Sequence, residues 1–391
     1  MHRSLPESTW PALARKGLRP LAGAGTAALL ASLAACGGGG ASSGSSTPPP
    51  PPSYQLTILV ADQATAGATT LDPNLVNPWG LAYGPTTDFW VADQGSATTT
   101  VYDGLGHMPT VPVVVADPAV AGATMGGPTG VVFNATTGFS GDEFILASLD
   151  GCLSGWSATA GTTAVRRVNH SGSAAVYTGL ATGTSGTATY LFAANFNGGS
   201  IEVFDSAYAP VNLGATAWVD PALPAGYAPF NVQVLAGKLY VTYAKHDPPA
   251  MRETTGAGLG VVDIFNLDGS FVRRVAAGGA LNAPWGLALA PATFGTYHGA
   301  LLVGNFGDGR ITAFDATTGT QLGQLPGASG APLVISGLWG MAFGNDASAG
   351  KSTQLYVAAG PQAQTHGLLG TISYGSVGTG GGGTGGGGYG Y

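Results

Sequence analysis

Two stretches of this chain say nearly the same thing: NPWGLAYG at 77–84 and APWGLALA at 283–290. A recurring unit constrains a fold more tightly than composition does, because every copy must find equivalent surroundings. Degenerate copies follow the same outline: GGPTGVVFN at 126–134, YAPFNVQVL at 227–235 and SGLWGMAFG at 336–344. A sixth, with its glycines but no aromatic, lies near 172–184. The spacing is about 50–55 residues, the period of blades in a β-propeller.

Each unit reads as a turn entering a short apolar strand, followed by strand-like runs such as DFWVADQGSATTTVYDG (88–104) and GALLVGNFGDGRITAFDATTG (299–319). The first strand of each copy is apolar throughout, as an innermost strand packed on both faces must be. The second carries aromatic and β-branched residues. The third alternates, as in Ile311-Thr312-Ala313-Phe314, the period of a half-buried strand. Gly, Asp and Asn mark the hairpins, for example Leu267-Asp268-Gly269-Ser270. Fourth strands read at 110–117 and 271–277, and no segment keeps a helical period. The chain is therefore all-β, a six-bladed propeller of four-stranded antiparallel blades spanning 54–375. The last copy stops after its third strand, while YQLTILVAD (54–62) precedes the first copy and looks like a fourth. It should complete the last blade, closing the ring and covering edges that would otherwise invite association.

Trp90-Val91-Ala92-Asp93 and Pro284-Trp285-Gly286-Leu287-Ala288 resemble the blade pattern of NHL-type six-bladed propellers. The chain is also similar to an uncharacterised family of exported bacterial propellers, some of which end in a PEP-CTERM sorting tail. This chain ends in Gly and Tyr instead.

The N-terminus reads as an address. Arg3, Arg15, Lys16 and Arg19 precede LAGAGTAALLASLAAC, a basic region followed by an apolar run too short for a confident membrane span. Leu33-Ala34-Ala35-Cys36 looks like a bacterial lipobox, which implies a signal peptide at 1–35, lipidation of Cys36 and an outer-membrane or cell-surface location. The alternative is an ordinary signal peptide that happens to abut a cysteine. Residues 36–53 form a Gly/Ser/Pro tether and 376–391 a Gly-rich disordered tail. Cys152, the second of two cysteines, is left without an intramolecular partner and reads as buried and inert.

Only 8% of residues are charged, easier to accept in a protein held at a surface than in a crowded cytoplasm. Of 13 basic and 20 acidic residues, four and one lie in 1–35, so the remainder keeps nine and nineteen, about −10. That argues against nucleic acid as a partner.

In a propeller the loops entering first strands and those joining second to third strands crowd one mouth of the axial channel. The first set brings Trp79, Phe230, Trp285 and Trp339; the second brings Asp93, Asp150, Asn195, His246, Asp247, Asn305, Asp308 and His366. Aromatic faces with amides and carboxylates suit a sugar, a peptide or another small polar ligand. Against this, Trp and Pro at such positions commonly wedge adjacent blades, and Asn and Asp cap turns. No cofactor is called for; a divalent metal, if one binds, would take Asp93, Asn195 and Asn305. The channel histidines of propeller lyases and the early Glu of propeller lactonases find no match here, and no Gly-x-Ser-x-Gly elbow follows a strand and starts a helix. The expectation is a lipid-anchored module binding a small molecule or an envelope protein, with enzyme status open. The alternative is a metal-dependent hydrolase or lyase at the mouth, and a third reading is a purely structural envelope protein.

Overall fold

The computed structural model describes residues 52–123, 126–248 and 251–375. The expectations for the signal peptide, for Cys36 and the tether up to residue 51, and for the tail lie outside these residues.

Six sheets are arranged as the repeat requires. Blade 1 holds Pro78–Ala82, Phe89–Asp93, Thr98–Tyr102 and Val115–Ala116; blade 2 holds Pro128–Phe133, Phe144–Ser148, Cys152–Trp156 and Val165–Asn169. Blade 3 has Tyr177–Ser185, Ala188–Asn195 and Ser200–Phe204. Blade 4 has Tyr227–Leu235, Lys238–Asp247, Val261–Phe265 and Phe271–Ala277, with Arg252–Thr254 folded back on the end of its second strand. Blade 5 comprises Pro284–Leu289, Leu301–Asn305, Ile311–Phe314 and Gln321–Gln324. Blade 6 comprises Leu338–Phe343, Leu355–Ala359 and Leu368–Gly375, and its fourth strand is Ser53–Ala61 from the other end of the domain.

That closing strand pairs antiparallel with Leu368–Gly375, Tyr54 opposite Tyr374 and Ile58 opposite Gly370. Tyr54 also reaches blade 5: its hydroxyl donates to Phe294 O at 3.0 Å and accepts from Tyr297 N at 3.1 Å. The ring of Tyr54 sits 5.0 Å from those of Phe294 and Tyr374. The strand is thus held by a ladder on one side and an aromatic clasp on the other.

Three details differ from the sequence reading. The third strand of blade 5, Ile311–Phe314, is buried at every position rather than on alternate faces, because each sheet packs on a neighbouring blade on both sides. The fourth strand of blade 1 shrinks from 110–117 to Val115–Ala116; Pro112 has no N–H to give to a ladder. Blade 3 has no regular fourth strand. Its outer place is taken by an irregular stretch that bonds through Val211 N to Val203 O (2.8 Å), next to Pro210, which again interrupts the donors.

The core follows the architecture. Among the described residues it divides into seven apolar clusters, one between each adjacent pair of blades and one on the axis. The repeated glycine explains how the innermost strands meet. A Cβ on Gly80 would lie 2.7 Å from Thr129 O, and one on Gly286 would lie 2.5 Å from Trp339 O, both backbone atoms of the next blade. Five blades place Gly here: Gly80, Gly130, Gly179, Gly286 and Gly340. Blade 4 carries Asn231, whose Nδ2 donates to Trp285 O at 2.8 Å, so a side-chain hydrogen bond stands where the others have close backbone approach. The paired arginines are ties within this frame: Arg167 holds Asp142 at 2.6 Å, and Arg274 bonds Asp263 (3.1 Å) and Asp220.

Candidate functional site

The pairings Pro78 with Asp93, Tyr177 with Asn195, and Pro284 with Asn305 put the starts of first strands beside the ends of second strands, at one mouth of the axis. The structure brings the four sequence-predicted aromatics together there, as a plug rather than as walls. Trp79 and Trp339 stack with ring centroids 3.6 Å apart, and Phe306 stacks on Trp339 at 4.0 Å. Trp285 meets both tryptophans edge-on at 6.0 Å, and Phe230 lies 5.8 Å from Trp339. All four predicted residues are at most 5% exposed. The reason is one of volume: blades 1, 4, 5 and 6 contribute Trp, Phe, Trp and Trp at one ring position, while blades 2 and 3 contribute only Thr129 and Thr178. The large rings close over the axis into the space the threonines leave. Trp285 Nε1 crosses the ring to Thr178 O at 2.8 Å, and Trp339 Nε1 donates to Asn77 Oδ1 at 3.0 Å. Trp79 Nε1 is buried without an acceptor among the described residues.

The polar candidates are held by the fold's own bonds. Asp93 is fully buried; its Oδ2 accepts from Thr100 N (3.0 Å) and Thr100 Oγ1 (2.8 Å). Burial lifts its carboxyl well above the ordinary range, and the Thr100 donors offset this only in part. Asn195 caps its turn, accepting from Val176 N at 3.1 Å and Gly198 N at 2.9 Å, while Nδ2 donates to Glu202 at 2.6 Å. Asn305 does likewise with Asn282 N (3.1 Å), Ala280 O (2.7 Å) and Asp308 (3.1 Å). Asp308 also accepts from Arg310 N and faces its guanidinium at 3.6 Å. Among the described residues no group of three or more His, Cys, Asp or Glu side chains is placed to hold a metal ion.

His366 bonds Asp62 through Nδ1 at 2.7 Å, and Asp62 also accepts from Gly367 N at 3.0 Å. This pair fastens the end of the closing strand to blade 6. Burial pushes the Asp62 carboxyl up, but the Gly367 and His366 donors outweigh it and hold it below its usual value. His246 lies edge-on to Phe196 at 4.8 Å with Nε2 buried and without a partner among the described residues. Burial lowers its pKa, against the charge of the exposed Asp247.

Sequence reasoning missed the polar layer beside the plug. Asn77 donates to Gln94 Oε1 (2.7 Å) and Gln364 Oε1 (3.3 Å), and Arg252 donates to the same Gln364 oxygen at 3.3 Å. Arg252 also pairs with Glu253 at 3.2 Å; its side chain is 41% exposed and that of Glu253 6%. Thus the hairpin extension of blade 4 reaches blade 6. The signal available was the length of the second strand of blade 4, ten residues where the equivalent strand of blades 1, 2, 5 and 6 has five.

Ring closure, blade count and strand order define a six-bladed β-propeller whose axis is plugged by aromatic side chains at one mouth. No profile of a known protein family matches the chain. Two uncharacterised proteins of Acanthamoeba polyphaga mimivirus do: R648, 36% identical over 74% of each chain, and L690, 32% identical over 78% of this chain and 82% of that one. The chain belongs to the family of these viral proteins. Solved structures similar to it include virginiamycin B lyase from Staphylococcus aureus (8% identity, TM-score 0.49, covering 82% of this chain and 99% of that one). Another is a glucose dehydrogenase (13% identity, TM-score 0.49, 81% and 99%). The fold assignment rests on the chain's own strand order.

Proposed function

We propose that this chain is a binding module, held at a cell envelope by a lipid on Cys36 and a Gly/Ser/Pro tether, that takes a small polar ligand or an envelope protein at the plugged mouth. One observation carries the reading: Asn195, Asn305, Asp308 and His366 are engaged in turns or with the closing strand, and Asp93 is buried against Thr100 of the neighbouring strand, its Oδ1 without a partner among the described residues. Meanwhile Arg252, Gln364, Gln94 and Asn77 form a hydrogen-bonded polar layer next to buried aromatics. Such a layer offers a guanidinium and carboxamides for recognition. The acidic balance of the chain leaves nucleic acid out.

The test is a panel of sugars, short peptides and amines read by thermal shift on the full chain. A ligand whose shift disappears in Arg252→Ala, with folding unchanged, supports the reading. Turnover of an ester or lactone that is lost in Asn305→Ala, together with stoichiometric divalent metal by mass spectrometry, would replace it with the metal-dependent hydrolase or lyase. The anchor is tested separately: Cys36→Ser should move the protein from the membrane fraction to the soluble one.

A further inference from the structure

Blade 3 leaves part of its outer edge unpaired. Its third strand, Ser200–Phe204, runs antiparallel to Ala188–Asn195, with Ser200 opposite Asn195 and Glu202 opposite Ala193. The chain then turns back and begins a fourth strand: Asp205 N donates to Ala209 O at 2.9 Å, and Val211 N donates to Val203 O at 2.8 Å. At Asn212 it veers away, where Asn212 Oδ1 accepts from Gly214 N at 2.8 Å. The peptide groups of 203 and 205 therefore face outward, and by the alternation of an antiparallel ladder so do those of Ile201. Among the described residues nothing bonds Ile201 N–H, Ile201 C=O or Val203 N–H on that side. Yet Ile201 and Val203 are only 7% and 5% exposed. Buried peptide groups are almost always paired, so these three call for an occupant.

A groove of about 420 Å³ runs beside this edge. Leu213, Trp218, Leu223 and Tyr243 wall it. Ile201 and Val203 point toward the same side, since both pack in the cluster that holds Val241 and Tyr243 of blade 4. Tyr243 is 2% exposed, and its hydroxyl is buried without a partner among the described residues. Glu202, between Ile201 and Val203, faces the other way and is bonded to His170, Tyr177 and Asn195. It is the one charged residue of the groove lining, and its side chain is 25% exposed.

We propose that this edge takes up an extended peptide of a partner protein, basic on either side of an apolar residue, as the missing fourth strand of blade 3. The apolar residue stands opposite Ile201, exchanges N–H and C=O bonds with it, and sends its side chain toward Trp218 and Tyr243. Its neighbours face the opposite side, where positive charge complements Glu202 and the acidic balance of the chain. The groove shares no residue with the plugged mouth or with the layer around Arg252, so the proposal stands apart from the mouth-binding reading.

The experiment is calorimetric titration of the full chain with the peptide acetyl-Thr-Lys-Val-Lys-Thr-amide. The same peptide N-methylated at valine lacks the N–H for Ile201 O and should bind about tenfold more weakly, the range for a buried acceptor left unpaired. A counterpart with Glu for both Lys should also bind more weakly. Ile201→Pro removes the outward N–H, a change edge strands accept, and should weaken binding of the lysine peptide by about tenfold or more. Ser200→Lys, at an exposed position, sets a like charge opposite a peptide lysine. It should keep the fold, weaken the lysine peptide about two- to fivefold and strengthen the glutamate one. No binding to the wild type, equal binding of the N-methylated peptide, or an unaffected Ser200→Lys would each overturn the proposal. So would a dimer in sedimentation velocity that Ile201→Pro dissolves, since the edge would then belong to a second copy of this chain.

Discussion

Gly80→Ala tests the geometry that makes the repeat. The added Cβ would lie 2.7 Å from Thr129 O, 3.0 Å from Val131 N and 3.3 Å from Gly130 Cα, all backbone of blade 2. No flexible side chain can yield, so the innermost strands of blades 1 and 2 must part by roughly half an ångström, which forfeits about a quarter of the dispersion at each affected contact. Overpacking of this kind costs about 1–3 kcal/mol. Displacing Trp79 from its stack on Trp339 adds about 0.5–1.5 kcal/mol, while the stiffer unfolded chain returns about 0.4–1 kcal/mol. The net is a destabilisation of about 0.5–4 kcal/mol, centred near 2. For a domain of this size about 2 °C accompanies each kcal/mol, so the melting temperature should fall by about 4 °C, within about 1–8 °C. Thermal unfolding followed by circular dichroism, in the far ultraviolet and in the region of the coupled tryptophans, reads both stability and the stack. Gly172→Ala, with open space around the new methyl, is the control and should stay within about 0.5 kcal/mol. A Gly80→Ala protein melting within about 1 °C of wild type would refute the close-approach argument. Asn231→Gly asks the converse question, since it removes the donor to Trp285 O and should cost about 1–3 kcal/mol.

Four further outcomes follow from the same structure. Deleting residues 54–62 removes the fourth strand of blade 6, and calorimetry should show loss of the cooperative transition; an unchanged melt would sink the closure argument. Asp62 is held below its usual value, so its contribution is complete above the ordinary carboxylate range and is lost as pH falls through the lower folded value; Asp62→Asn should flatten that acid limb in denaturant titrations at pH 2–5. Asp263, lifted to about 7 by burial and then by Asp220, and Asp117, lifted to about 6, behave oppositely. Their folded forms favour the proton, so stability should decline as pH rises from about 4 to 7, and Asp263→Asn should weaken that decline. Burial pushes the Cys152 thiol up to about 12, so a Cys36→Ser protein should show no reaction with a thiol-specific reagent until denatured.

The ring was legible because ring geometry acts on single residues. Gly80, Gly286 and Gly340 are demanded by backbone approach between neighbouring blades, so the same letter recurs at the same place in most copies. The closing strand was legible for the complementary reason: 54–62 carries strand chemistry with no partner in its own copy, and the last copy lacks a fourth strand. Hairpin residues fared less evenly. Pro112 and Pro210 mark where outer strands fail, yet outer strands contribute little to the inter-blade cores, so a propeller tolerates their loss and the repeat signal does not register it.

Whether the mouth is a hollow or a plug depends on a sum over blades that no single copy reveals. Trp79, Phe230, Trp285 and Trp339 each look like a ligand platform when read alone, and only their convergence opposite Thr129 and Thr178 turns them into core. The same convergence displaces recognition sideways. Once this mouth is filled, the polar layer around Arg252 stands beside it and depends on the blade 4 hairpin. Shortening that hairpin, residues 246–253 replaced by a two-residue turn, should leave the six blades intact while removing Arg252 from Gln364. Far-ultraviolet circular dichroism and the melting transition should stay close to wild type, and a ligand whose thermal shift depends on Arg252 should lose that shift. Retained binding of that ligand in the shortened protein would place recognition elsewhere on the propeller.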